Sequence, residues 1–258
     1  MSVINTKKWL DQESYNPIKL CKKLEPYFNK LDAQNIYHYL TLNGMFRKSK
    51  AVESNFIKDP NKIYNIIKQE HQNLRKEWHG PDIPIFILPS DPMNQKLIKE
   101  FNGKSGLAFK DKLFLFLSEK NTMDEIRALF VHEYNHVCRL KHYKKKEETF
   151  TLLDTVILEG LAEHAVLERF GKEYLASWTS YYDSSIQQKL WKRFVQPNKD
   201  ISVQNPKHNH ILYGLKLYPK MTGYSVGYYL VNNYIQKHNT AIKDMLSMDS
   251  TRIASIST

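Results

Sequence analysis

The sequence predicts an α+β fold, mostly helical with one small antiparallel or mixed sheet. Apolar residues recur at helical spacing over most of the 258 residues. Only three short runs, all between residues 83 and 118, are β-branched or aromatic and closed by turn residues. Long amphipathic stretches with helix start and stop signals follow the last of them. In chain order, Ile18, Leu20, Leu24, Tyr27, Phe28 and Leu31 give helical spacing within residues 17–43. A second helix runs from about Asn61, after Asp59-Pro60, to Trp78, where His79-Gly80-Pro81 stops it. Residues 83–88 read as a strand, 93–101 as a short helix, and 105–109 with 113–118 as a hairpin around Lys110-Asp111-Lys112. Residues 121–142 form a helix opened by Thr122 and Glu125, the pattern of a capping box. Residues 149–170 form another, stopped by Gly171, and aromatic-rich helices follow at 173–195 and 224–237.

Bulk composition excludes several classes. A hydrophobic fraction of 41% with 25% charged residues is that of an ordinary globular chain. Lys and Arg exceed Asp and Glu by 38 to 27, a net charge of +11. These lysines are spread along the chain with no basic-aromatic block, so no specific nucleic-acid partner is expected and the charge is background. The start has no apolar signal core, and no stretch approaches the ~18 apolar residues of a membrane span. Cys21 and Cys138 lie far apart and form no disulfide framework. Together these predict a cytoplasmic protein.

The informative motif is His132-Glu133-Tyr134-Asn135-His136. On a helix, His at i and i+4 share one face, so both imidazoles can bind one Zn2+ while the Glu between them stays at hand as general base. Chance supplies roughly 0.02 such matches in a chain of this composition. A catalytic zinc takes three protein ligands and leaves a fourth position for water, so a third ligand is needed.

Glu159 is the first choice. It lies in Leu158-Glu159-Gly160-Leu161-Ala162-Glu163, where Gly160 and Ala162 permit a close approach to the motif helix, and it is surrounded by Val156, Ile157 and Leu161. A carboxylate in so apolar a setting needs a partner. Glu163, four residues on, can hydrogen-bond the outer nitrogen of a ligand His. His142 is the rival, at the third-ligand spacing of H-E-x-x-H-x-x-G-x-x-H, although Arg139 stands where that pattern has Gly. His164 and the pair His208 and His210 are weaker candidates.

Taken together, His132–His136, Glu159–Glu163 and the later Gly223-Tyr224-Ser225-Val226-Gly227-Tyr228 resemble the gluzincin-type predicted zinc-dependent proteases of Bacillus-like bacteria. The resemblance covers residues 80 to 240. It implies a zincin-like metalloprotease fold, with residues 1–80 a helical N-terminal region and 81–258 the catalytic domain, or the whole a single domain. It implies a metallopeptidase acting on a peptide or protein substrate, with Zn2+ on His132, His136 and Glu159 and with Glu133 as base. It also places Tyr224 near the metal as donor to the oxyanion, with Tyr228 one turn on as the alternative. In the resembled fold the edge strand before the motif helix aligns the substrate; strand 113–118 precedes that helix but is more apolar than an exposed edge usually is, which leaves its assignment as the substrate edge open. The competing class is a non-catalytic zinc-binding regulatory protein with a basic surface. The intact Glu133 argues against it, because a structural site has no use for a base.

Overall fold

The computed structural model describes residues 3–47 and 59–255. Residues 1, 2, 48–58 and 256–258, which include part of the predicted N-terminal region, lie outside the described residues. The chain separates into two compact units, residues 1–137 and 138–258.

The first unit is built on a three-stranded sheet. Strands β1 (Ile85–Pro89), β2 (Ser105–Ala108) and β3 (Leu113–Leu117) lie in the order β1-β3-β2, with β3 parallel to β1 and antiparallel to β2. β3 is therefore the middle strand, not an edge. Its Leu-Phe-Leu-Phe-Leu run is buried at every position because both faces are covered, and a strand covered on both sides reads as continuously apolar. On one face Phe114 stacks on Phe86 at 4.8 Å, with Phe28 at 5.8 Å and Tyr27 at 4.8 Å from Phe86. Residues of the N-terminal helical segment thus form one wall of the sheet.

That segment contains α1 (Thr6–Gln12), α2 (Pro17–Leu24) and α3 (Ala33–Leu42). The helical pattern at 17–43 is split because Pro26 sits in a 3-10 turn at Glu25–Tyr27 and Asp32 starts a new helix by accepting the Asn35 N–H. α4 (Pro60–Trp78) and α5 (Gln95–Phe101) follow, capped by Asp59 and Asn94. α6 (Met123–His142) carries the motif. Its predicted capping box is present: the Thr122 N–H donates to Glu125 at 2.8 Å and the Glu125 N–H to the Thr122 hydroxyl at 3.3 Å. Burial opposes ionisation of Glu125, but the Thr122 amide, the Asn102 side chain and Lys104 outweigh it and hold the carboxyl at about 2.

The second unit holds α7 (Leu152–Phe170), α8 (Ser184–Leu190), α9 (Pro206–Tyr213), α10 (Thr222–His238), α11 (Ile242–Met245) and α12 (Ser250–Ala254). α7 begins three residues later than its periodicity suggests, because Thr151 and Asp154 close their own capping box. The predicted helix at 173–195 is broken into 3-10 turns, α8 and a π turn at Trp191–Val195, with Asp183 capping the new start through the Ile186 N–H. α7 and α10 cross in close contact. A Cβ on Gly160 would fall 2.3 Å from the Gly227 carbonyl oxygen, and one on Gly227 only 2.0 Å from that of Val156. Gly160 thus serves the packing of α7 on α10, not the approach to the motif helix expected for it.

The crossing also buries His164, whose Nε2 lies 3.1 Å from the Tyr228 carbonyl oxygen while its ring stacks on Tyr228 at 4.3 Å. Burial pushes this imidazole down to about 4 from its ordinary 6.5, against the weaker raising effects of the Tyr228 carbonyl and Glu163. Its contribution to stability is whole above pH 6.5 and is lost as the pH falls from there to about 4, a total of about 3 kcal/mol. Urea unfolding of wild type and His164→Phe across that window should show the extra acid slope in wild type alone. Parallel slopes in the two proteins would refute the buried neutral histidine.

Candidate metal centre

α6 presents His132 and His136 one turn apart, as the spacing requires. Their Nε2 atoms approach to 3.1 Å and the rings stand nearly perpendicular, at 87°. The back of this turn is fixed by Tyr134, which is fully buried, donates to the Pro81 carbonyl at 2.8 Å and stacks on Phe130 at 5.5 Å and Trp78 at 6.2 Å. Glu133, between the two His, is 7% exposed. It lies against β2, where a Cβ on Gly106 would fall 2.2 Å from its side chain. Glycine at 106 thus keeps the space that the carboxylate occupies.

Glu159 is half-buried on α7. One ligand atom from each of His132, His136 and Glu159 lies within 4.8 Å of the other two, the group among the described residues that can hold a metal ion. The donor set fits zinc: two imidazole nitrogens and a carboxylate oxygen are its ordinary ligands. Two nitrogens on a tetrahedral zinc stand about 3.3 Å apart, close to the separation seen here.

Glu159 is held by Tyr224 of α10, whose hydroxyl bonds both Glu159 and Tyr213. A carboxylate only accepts, so the bond to Glu159 is donated by the Tyr224 hydroxyl. Burial, and then the charge of Glu159, raise the Tyr224 hydroxyl well above its ordinary value, keeping it a donor. Tyr224 packs edge-on to Trp178 at 5.2 Å and at 5.6 Å from Tyr213. Sequence reasoning did not find Tyr213: one tyrosine at the end of a short helix carries no pattern, and only the fold brings α9 beside α10.

Other candidates have different places. α6 runs unbroken through Arg139 to His142. Arg139 is 1% exposed and donates to the carbonyls of Met245, Leu246 and Met248 and to the Ser250 hydroxyl, with its guanidinium over the Tyr143 ring at 3.8 Å. Burial lowers its pKa only to about 10, so it stays charged. The residue standing where the rival pattern has a helix-breaking Gly is therefore a buried structural arginine. Glu163 accepts from the Ala176 N–H, and Tyr228 is stacked on His164. Of the weaker ligand candidates, His208 bonds Thr155 and Asn209, each at 3.0 Å.

A helical His pair with a half-buried Glu and a neighbouring carboxylate defines a candidate mononuclear metal site. The chain belongs to the family described as Predicted Zn-dependent protease (DUF2268), whose model matches residues 63–255. It is 40% identical over 252 residues to the uncharacterised protein YjaZ of Bacillus subtilis (strain 168), covering 96% of each chain. It is 23% identical over 194 residues to the uncharacterised YjfC of the same organism, covering 72% of this chain and 64% of that one. No solved structure matches. Among the described residues no helix is long and apolar enough to cross a membrane.

Proposed function

We propose that the chain is a gluzincin-type, zinc-dependent metallopeptidase, with His132, His136 and Glu159 holding the metal. The approach of the two Nε2 atoms to 3.1 Å carries this reading, and the family description agrees with it. Zinc, when bound, acts as a Lewis acid toward the scissile carbonyl and lowers the pKa of water.

The remaining work belongs to the chain's own groups. Glu133 takes the proton of the attacking water and passes it to the leaving nitrogen. With the Tyr224 proton directed to Glu159, the hydroxyl within reach of a developing oxyanion is that of Tyr213, 42% exposed beside it. β2 aligns the substrate. The Phe109 N–H donates to the Lys112 carbonyl on the β3 side. By the alternation of an antiparallel pair, the N–H and C=O of Gly106 and Ala108 then face away from β3, toward the open edge. An extended peptide can pair with them beside Glu133, in the manner of an added strand. An edge strand next to the motif helix is also the arrangement that a zincin-like fold requires.

The reading is tested by zinc stoichiometry together with cleavage of casein, before and after chelation and zinc restoration. We expect one zinc per chain and activity lost and regained with it. A fully zinc-loaded protein that cleaves no peptide would leave the non-catalytic alternative. Gly106→Ala sharpens the test, because its methyl group must displace Glu133. Hydrolysis should fall about 100-fold, the cost of misplacing a catalytic group by about 1 Å, with zinc content unchanged. Unaltered kcat in this variant would show that the Glu133 position is immaterial.

A further inference from the structure

The N-terminal helix α3 meets β2 on the face that carries Ser105, Leu107 and Phe109. The Ser105 hydroxyl donates to the Asn43 carbonyl just past the end of α3, at 2.8 Å, and the Phe109 ring lies 6.1 Å from that of Tyr39. A Cβ on Gly44 would fall 2.2 Å from the Ser105 Oγ, so the end of the helix is pressed on the start of the strand. Two contacts in opposite order along the two elements make α3 run antiparallel to β2. Leu107 lies midway between Ser105 and Phe109 and shares their face by strand alternation. It is therefore opposite the turn that carries Tyr39, Leu42 and Asn43.

Among the described residues nothing closes over this junction. Leu42 is 68% exposed and Tyr39 40% exposed, and Leu107 and Phe109 are only half-buried, while β1 and β3 are buried throughout. Four apolar side chains thus form an open shelf beside the strand whose Gly106 and Ala108 backbone groups face outward. A peptide added along that edge turns every second side chain onto one face of the sheet. One of its two rows then falls on this shelf, and burying a Leu or Phe there is favourable where a Ser or Asp gains nothing.

We infer that Tyr39, Leu42 and Leu107 form a specificity subsite that selects extended peptide segments with a large apolar side chain at alternate positions. This rests on the reading of β2 as the substrate strand. It makes the N-terminal helical segment part of substrate recognition, a role that its sequence does not announce. The substrate class is then an unfolded or extended segment of the kind a folded protein keeps in its core, and not a charged surface loop.

Binding is read separately from turnover, on zinc-loaded Glu133→Gln protein, by fluorescence anisotropy. The probes are a short fluorescein-labelled peptide alternating Leu and Thr and its analogue with every Leu replaced by Ser. The Leu peptide should bind about tenfold more tightly, the discrimination that a single apolar pocket gives. Tyr39→Ser with Leu42→Glu in the same background should remove that preference. Both side chains are largely exposed, so folding is preserved, and the circular dichroism spectrum and the zinc content check it. Equal binding of the two peptides, or a preference that survives the double substitution, overturns the subsite. Preferential binding that the double substitution removes, in a protein whose wild type cleaves neither peptide, would keep the subsite and reject the peptidase reading instead.

Discussion

Glu133→Gln is expected to lower kcat/KM for peptide hydrolysis by about 10³-fold while zinc stoichiometry and thermal stability stay at wild-type values. The amide fills the same space against Gly106 but cannot accept a proton, so the variant separates base chemistry from packing. Glu133 is only 7% exposed, and a shape-conserving change there avoids the cavity that Ala would leave. The measurement is steady-state hydrolysis of a quenched fluorescent peptide beside zinc content by atomic absorption. Activity equal to wild type at full zinc loading would remove Glu133 from the mechanism, and loss of zinc would mean that it holds the site together.

The second large effect concerns which helix completes the metal site. Glu159→Ala should weaken zinc binding by well over about 100-fold, since loss of a group that merely supports a ligand already costs about 10–100-fold. His142→Ala should leave it unchanged, because α6 continues as a helix to its end and Arg139 is committed to the carbonyls of Met245, Leu246 and Met248. Competition with a fluorescent chelator reads both affinities. The opposite pattern, zinc lost only in His142→Ala, would make the third ligand a histidine. Zinc retained by both variants would turn attention to His164 or to the pair His208 and His210, although His164 and His208 each already have a structural partner.

What was legible follows from how local each signal is. The H-E-x-x-H run, the Thr122 and Glu125 capping box and the hairpin at 105–117 need only neighbours within a few residues, and the fold contains all three. Helix breaks were less legible. The periodicity at 17–43 and 173–195 continues through Pro26 and Asp183, because apolar spacing reports which face is buried and not where the backbone changes direction. The apolar run at 113–117 was legible as a strand but not as the middle one. Strand order depends on which partners pair with it, and those lie elsewhere in the chain.

By itself, the sequence determined the chemistry available to this protein. Two imidazoles and a carboxylate at helical spacing are a property of one segment, and helix geometry converts that spacing directly into a shared face. Tertiary structure alone decided what surrounds them. It put β2 at an edge of the sheet, gave Gly106 its purpose as the space for Glu133, and brought Tyr213 onto Tyr224 beside Glu159. It also turned Gly160 toward Gly227 and laid α3 along the open strand. Each of these is a contact between residues distant in sequence, set by the packing of whole elements, and no local pattern encodes it.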